Sequence, residues 1–303
     1  MKLENLLTET RNPDTMHIDD QSSLEIAELI NREDQRVALA VQKILPEIAK
    51  VVDHIVAAIQ SGGRLFYLGA GTSGRIGILD ASECPPTYGT DPELVQGLIA
   101  GGAPAILRAV EGAEDSDTLA AEDLQNKQLN AADIVIGIAA SGRTPYVIGG
   151  LRYARSIGCK TAALTCSPDS EMSRVAEHSL TVLTGPEVIM GSTRMKAGTA
   201  QKMVLNMLTT ATMVQLGKVY SNLMVDVQAT NQKLRERAKR IVSLAAGVSP
   251  RQAEEAVQAA GGSAKLAIVM ILAGVTAEEA TRLLQEGHGF VAKALALRAG
   301  PAD

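Results

Sequence analysis

The sequence predicts an α/β fold: a parallel sheet flanked by helices on both faces, with N-terminal helices and a small C-terminal helical bundle. Three observations predict it. Between residues 64 and 183, short apolar runs alternate with helix-like stretches, as expected for βα units feeding one sheet. Two of those runs end in turns of small residues, Leu68–Gly69–Ala70–Gly71–Thr72–Ser73–Gly74 and Ile138–Ala139–Ala140–Ser141–Gly142–Arg143–Thr144–Pro145. Outside this block the apolar positions recur at helical spacing.

Residues 1–20 are polar and irregular, with a turn signal at Asn12–Pro13–Asp14. From Ser22 to Ile59, Leu24, Ile26, Ile30, Val37, Ala40, Val41, Leu45 and Ile48 mark one or two amphipathic helices, interrupted near Asn31 and at Pro46. Ser61–Gly62–Gly63 ends the last of them and releases the first strand. Strands are expected at 64–68, 95–99, 133–138, 160–165 and 179–183, and helices at 73–80, 103–110, 117–124, 145–156 and 170–177. The segment 197–218 is small and apolar, which fits a buried helix. A charged connecting helix follows at 230–245, then three helices at 251–260, 264–273 and 276–287. Their signals are Ser249–Pro250 and Thr276 with Glu279 as starts, and Gly261–Gly262 and Gly274 as stops. The expected division is 1–54, an N-terminal helical segment; 55–220, the sheet domain; and 221–303, the C-terminal helices.

Composition removes several function classes. A net charge of −5 offers no basic stripe to a nucleic-acid backbone, and the Lys233–Arg240 cluster reads as a solvated helix face. Met1–Lys2–Leu3–Glu4 carries charge where a secretory leader needs an apolar core, and the longest apolar run, 267–275, is too short for a bilayer. Three cysteines without metal spacing fit reduced thiols in the cytoplasm, and the scattered His17, His54, His178 and His288 offer no metal set. Trp is absent and Phe66 and Phe290 are the sole Phe residues, which leaves little for stacking on a sugar or base.

The chemistry gathers in four places. A small-residue turn between a buried strand and a helix converges N–H groups and hydroxyls on an anion, and the helix dipole adds to the attraction. Two such turns in one sheet suggest a phosphate held from two sides, hence a phosphorylated small molecule. Gly69-x-Gly71-x-x-Gly74 also satisfies a dinucleotide pattern, but Gly89–Thr90–Asp91–Pro92, near the distance of the expected acidic residue, sits in a turn that follows no strand. Glu83, beside an irregular loop expected from Pro85–Pro86, and Glu114, in Glu111–Gly112–Ala113–Glu114–Asp115, are either proton-moving carboxylates or ordinary surface acids. Cys84 lacks a histidine partner and reads as a packed thiol. In Gly191–Ser192–Thr193–Arg194–Met195–Lys196, followed by Lys202, cations sit in the first helical turns, where the dipole disfavours them. A plain cap explains the hydroxyls, and a bound anion or carboxylate would compensate the cations.

These stretches, together with Leu7–Thr8–Glu9–Thr10–Arg11–Asn12–Pro13 and Asp80–Ala81–Ser82–Glu83–Cys84–Pro85–Pro86, closely resemble the N-acetylmuramic acid 6-phosphate etherases. Those enzymes belong to the sugar isomerase (SIS) superfamily, so the resemblance implies a SIS-type sheet and a phosphorylated amino-sugar substrate. It implies hydrolysis of the ether joining D-lactate to C3, by loss of the C2 proton of the ring-opened sugar, departure of lactate and addition of water. No cofactor or metal is implied. Glu83 matches the general acid for the lactate oxygen and Glu114 the second acid/base residue, with their division of labour open. Ser73, Ser141 and Thr144 match phosphate-loop positions, flanked by Thr72, Gly142 and Arg143, while Ser192, Thr193 and Lys196 are expected to complete the pocket. A homodimer with sites near the subunit interface, acting in the cytoplasm without nucleic-acid or membrane partners, is also expected, and the C-terminal bundle resembles a ubiquitin-associated-type fold. A non-catalytic phosphosugar regulator, like the glucokinase regulatory protein, and an aldose–ketose isomerase remain the alternatives; release of D-lactate separates them.

Overall fold

A computed structural model describes residues 7–228 and 232–299; the expectations for Met1–Glu4 and for helix at 230–231 lie outside these residues. The chain divides into two compact units. One comprises Met1–Ser82 and Pro92–Thr209, the other Glu83–Asp91 and Thr210–Asp303.

In the first unit, two helices precede the sheet: α1 (Ser23–Gln42) and α2 (Leu45–Gln60). The former starts with a reciprocal cap between Ser22 and Glu25. No break occurs at Asn31, contrary to expectation, because its side chain accepts from Gln35 Nε2 one turn on, at 2.8 Å, and faces outward. The break falls instead at Lys43–Ile44, and Pro46 sits in the first turn of α2, where its missing N–H costs nothing.

Five parallel strands follow: β1 (Leu65–Gly69), β2 (Val95–Ile99), β3 (Ile134–Ile138), β4 (Lys160–Thr165) and β5 (His178–Thr181), in the order β2-β1-β3-β4-β5. Strands β1 and β3 are buried throughout, as parallel strands covered on both faces must be. Connecting helices are α3 (Gly71–Tyr88), α4 (Pro104–Leu107), α5 (Leu119–Asn126), α6 (Pro145–Ser156) and α7 (Glu171–Val175). On one face Phe66, Leu68, Val135 and Ala163 pack with Leu124, Tyr146, Val147, Leu151 and Met172. The alternate residues, among them Tyr67 and Ile138, face α3, where Gly77 lets the helix approach closely.

Helix α3 is the main correction. It was expected to end at residue 80 before an irregular Pro85–Pro86 loop, yet it runs to Tyr88. Those prolines remove only two N–H donors, near the helix end, and Gly89 N–H still donates to the Pro85 carbonyl at 2.9 Å.

Helix α8 (Lys196–Gln215), like α3, continues from the first unit into the second. The second unit holds a two-strand ribbon, β6 (Val219–Tyr220) with β7 (Leu223–Met224), and α9 (Gln232–Ala246), α10 (Pro250–Ala259), α11 (Ala264–Ala273), α12 (Ala277–Glu286) and α13 (Val291–Ala299). Ser249, Ser263 and Thr276 cap α10 to α12, and Gly274 closes α11 in the left-handed region. Ala253, Ile268, Leu283 and Ala294 share its core. The ribbon and α13 were not anticipated: two-residue strands leave no alternation to read, and Val291–Ala299 is short and weakly patterned.

Candidate active site

The two small-residue loops leave neighbouring strands at the same level, since Gly69 and Ile138 are register partners. From β1 the chain crosses to β2 on one side, and from β3 to β4 on the other. That reversal opens a crevice beyond the carboxyl ends of the strands, where α/β folds bind ligands.

In the first loop, a side chain at Gly74 would stand 2.6 Å from Ile99 Cγ1 and 2.8 Å from the Gly69 carbonyl oxygen, so only glycine starts α3 this close to the sheet. Thr72 is half-buried and Ser73 buried in the first turn of the helix, whose opening N–H groups lack intrahelical acceptors. The Ser73 hydroxyl donates to Gln201 Oε1 on α8 at 3.0 Å.

The second loop is pinned by Gly142. Its φ of +65° favours glycine, and a Cβ there would lie 2.4 Å from Ser170 Cβ. Gly142 N–H donates to Ala139 O at 3.1 Å and its carbonyl accepts from Met172 N–H at 3.0 Å. Ser141 Oγ accepts from Arg143 N–H at 3.4 Å, and Thr144, at the N-cap of α6, makes no side-chain capping bond. Arg143 opens toward a hollow it shares with Asp169, Glu171 and Arg174.

Glu114 stands exposed on a 3-10 turn, Ala113–Asp115, that follows Gly112. It lines a cleft of about 200 Å³ together with Ala70, Gly71, Arg75, Val110 and Glu111. The Arg75 side chain donates to the Ile106 and Ala105 carbonyls, both at 2.8 Å, and so ties α3 to the segment beside the Glu114 turn. The structure thus brings Glu114 to the first loop. Glu83 lies exposed on the same α3 that carries Ser73, ten residues further on and within the second unit.

At the head of α8 a cation and the helix end meet carboxylates of the protein itself. Ser192 and Thr193 are half-buried, but Lys196 is 1% exposed and its ammonium pairs with buried Glu33. Glu33 also accepts from Asn12 Nδ2 at 2.9 Å and pairs with Arg36 at 2.7 Å. Glu187 receives the N–H groups of Lys196 and Ala197 at 3.0 and 2.9 Å, capping the helix with a carboxylate. Internal carboxylates therefore satisfy the helix end and pair with the ammonium, which places Lys196 inside the fold with Glu33 as its partner. Thr8 and Thr15 extend this clasp: Gly191 N–H donates to Thr8 O at 3.1 Å and Thr15 Oγ1 to Val188 O at 2.9 Å.

Burial raises the Glu187 carboxyl above its ordinary range, against the pull of the two backbone donors. Asp80 is raised in the same way, although Tyr67 Oη, Thr209 Oγ1 and Asn206 Nδ2 donate to it at 3.0, 3.2 and 2.9 Å. Cys159 and Cys166 are pushed up by burial to about 11 and 12, so neither is a nucleophile at neutral pH. All three cysteines are buried and none forms a disulfide, Cys84 among them. Among the described residues no group of three His, Cys, Asp or Glu is placed to hold a metal, and no single helix is long and apolar enough to cross a membrane.

The model of the glucokinase regulatory protein N-terminal SIS domain matches residues 47–155, and the SIS domain model matches 116–211. The N-acetylmuramic acid 6-phosphate etherase of Photorhabdus laumondii is 57% identical over 96% of this chain and 97% of its own. That of Geobacillus sp. is 58% identical over 97% and 99%, and that of Clostridium beijerinckii 56% identical over 97% of both. This chain belongs to the N-acetylmuramic acid 6-phosphate etherase family. A proposed phosphosugar isomerase of Bacteroides fragilis, involved in capsule formation, shares the fold, with 21% identity, a TM-score of 0.50 and coverage of 65% of this chain and 94% of its own.

In this member of the etherase family, sequence reasoning missed Gln201, Glu33, Glu187 and Asp80. Gln201 lies within the polar stretch 191–202 at the head of α8 and Asp80 opens a motif, yet neither carries a signal of its own role. Glu33 carried no signal, because a single acid on a polar helix looks like surface.

Proposed function

We propose that this protein hydrolyses the D-lactyl ether of N-acetylmuramic acid 6-phosphate, giving N-acetylglucosamine 6-phosphate and D-lactate. The observation that carries the reading is the shared cleft of Glu114 and the first loop. A carboxylate beside an anion-binding helix start can act on a sugar whose phosphate is anchored there.

In this reading the 6-phosphate is held by the Ser73 hydroxyl and N-terminal N–H groups of α3, and by Ser141 and Thr144 from the second loop. Thr72, Gly142 and Arg143 shape the surroundings, and Ser192 and Thr193 close the pocket. An unactivated ether resists direct attack, so the sugar reacts in its ring-opened form, where the C1 aldehyde acidifies the C2 proton. Glu114 removes that proton. The electron pair forms the C2–C3 double bond as the C3–O bond breaks, and Glu83 gives a proton to the departing lactate oxygen. Glu83 then takes a proton from water as its oxygen adds to C3, and a proton returns to C2. The sum is hydrolysis, with no net oxidation.

The reading includes a homodimer, for which exposed Leu24, Leu39 and Leu45 on the first two helices offer apolar surface. It also includes a cytoplasmic setting, which three buried cysteines without a disulfide suit. The test is an enzymatic D-lactate assay on purified protein with phosphorylated and unphosphorylated N-acetylmuramic acid. Lactate from the phosphorylated sugar alone is the expected result. Binding without lactate, or aldose–ketose interconversion instead, rejects the reading.

A further inference from the structure

We propose that Gln201 is a positioning residue for the phosphate site: its buried amide decides whether the single hydroxyl proton of Ser73 is kept inside the protein or given to the ligand. This rests on the reading of Ser73 as a phosphate contact.

Gln201 is 1% exposed on α8, and its Oε1 accepts from Ser73 at 3.0 Å. Its Nε2 is buried and has no hydrogen-bond partner among the described residues. A serine hydroxyl has one proton to give and two lone pairs. While that proton points at Gln201, Ser73 presents only lone pairs to an arriving anion, which repel it. A half turn of the Gln201 amide exchanges Oε1 and Nε2 within nearly the same volume. Nε2 then donates to Ser73 Oγ, and the Ser73 proton is released toward the phosphate. The turn gives a buried N–H that had no acceptor a partner while Oε1 gives up the Ser73 donor, and the released Ser73 proton adds the bond to the phosphate. Donation into Oγ also polarises its O–H and strengthens it as a donor.

The backbone need not move. Asn206 and Thr209, further along α8, hold Asp80 on α3 at 2.9 and 3.2 Å and fix the spacing of the two helices. Only the terminal torsion of Gln201 has to change.

The experiment is a double-mutant cycle between Gln201 and Ser73, read as KM and kcat for N-acetylmuramic acid 6-phosphate from pH 6 to 8. Glutamate in place of Gln201 accepts the Ser73 proton but, once ionised, cannot donate. We expect Gln201→Glu to raise KM about ten-fold at the upper pH, the worth of one charge-assisted hydrogen bond, with kcat within two-fold. In the Ser73→Ala background, itself raised in KM, the same change should add nothing. If Gln201→Glu does not fold, Gln201→Met enters the cycle, with a several-fold KM increase expected only where Ser73 is present. An equal KM increase with and without Ser73, or none at all, overturns the proposal while Ser73 stays a phosphate contact. An unchanged KM in Ser73→Ala instead rejects the phosphate reading of that loop, and the proposal falls with it. Absence of turnover in the unaltered protein rejects the proposed function itself.

Discussion

Two polar regions of the first unit use the same residue types to opposite ends. At the head of α8, Glu33, Lys196, Glu187 and Asn12 are buried and bonded to one another. In the cleft beside the first loop, Glu114 is exposed, while Arg75 is committed to carbonyls. A buried charge whose partners are all internal is architecture, because any ligand must first break bonds whose loss costs several kcal/mol. An exposed carboxylate beside the start of a helix has no such commitment and can meet a substrate. Charge in a motif therefore identifies chemistry only once its internal partners are known.

The largest separation between the two regions should appear on replacing one charged side chain from each. Glu114→Ala should lower the rate of lactate release roughly 10²- to 10⁴-fold, with the denaturation midpoint unchanged. Lys196→Met, in the clasp, should instead cost a few kcal/mol of folding free energy (about 2–4), measured by urea unfolding, because it removes the buried ammonium and leaves Glu33 with Asn12 and Arg36 alone. A Lys196→Met protein of normal stability that has lost substrate affinity would move Lys196 into the site and end the distinction.

A smaller effect is expected at the second loop. Ser141→Ala should weaken the 6-phosphate sugar by about 1.5–3 kcal/mol, read as the ratio of KM values for folded proteins. Equal affinity of both proteins would remove Ser141 from the phosphate site.

The smallest effect concerns pH. Asp80 is raised by burial, so the folded state holds a proton that the unfolded chain releases. Its contribution is complete below the ordinary carboxylate range and is lost as pH rises through the raised value. Asp80→Asn should gain stability relative to the unaltered protein between pH 4 and pH 8, by chemical denaturation at each pH. A gap that stays constant with pH contradicts the assignment.

The sheet was legible because its strands are uniformly apolar and end in glycine-rich turns: β2 and β4 match residue for residue and β1, β3 and β5 within two. Helix α3 was not, since Pro85–Pro86 argues locally for a break that the remaining helical bonds override. In the candidate site, the loops and Glu114 were visible as motifs. What they bond to was not. Lys196 and Glu33 are separated by 163 residues and Ser73 and Gln201 by 128, so no local pattern links them. Only the fold reveals that a dipole-opposed lysine is answered by an internal acid.

The proposed mechanism turns on Glu114, beside the first loop, as the base that takes the C2 proton. It is tested most directly by proton NMR of N-acetylmuramic acid 6-phosphate in D₂O with folded Glu114→Ala and Glu83→Ala proteins, alongside lactate release. Glu83→Ala should exchange the C2 hydrogen for deuterium while releasing no lactate, because deprotonation needs only the aldehyde and the remaining base. Glu114→Ala should do neither. Exchange that persists in Glu114→Ala and vanishes in Glu83→Ala would assign the base to Glu83 and contradict the claim.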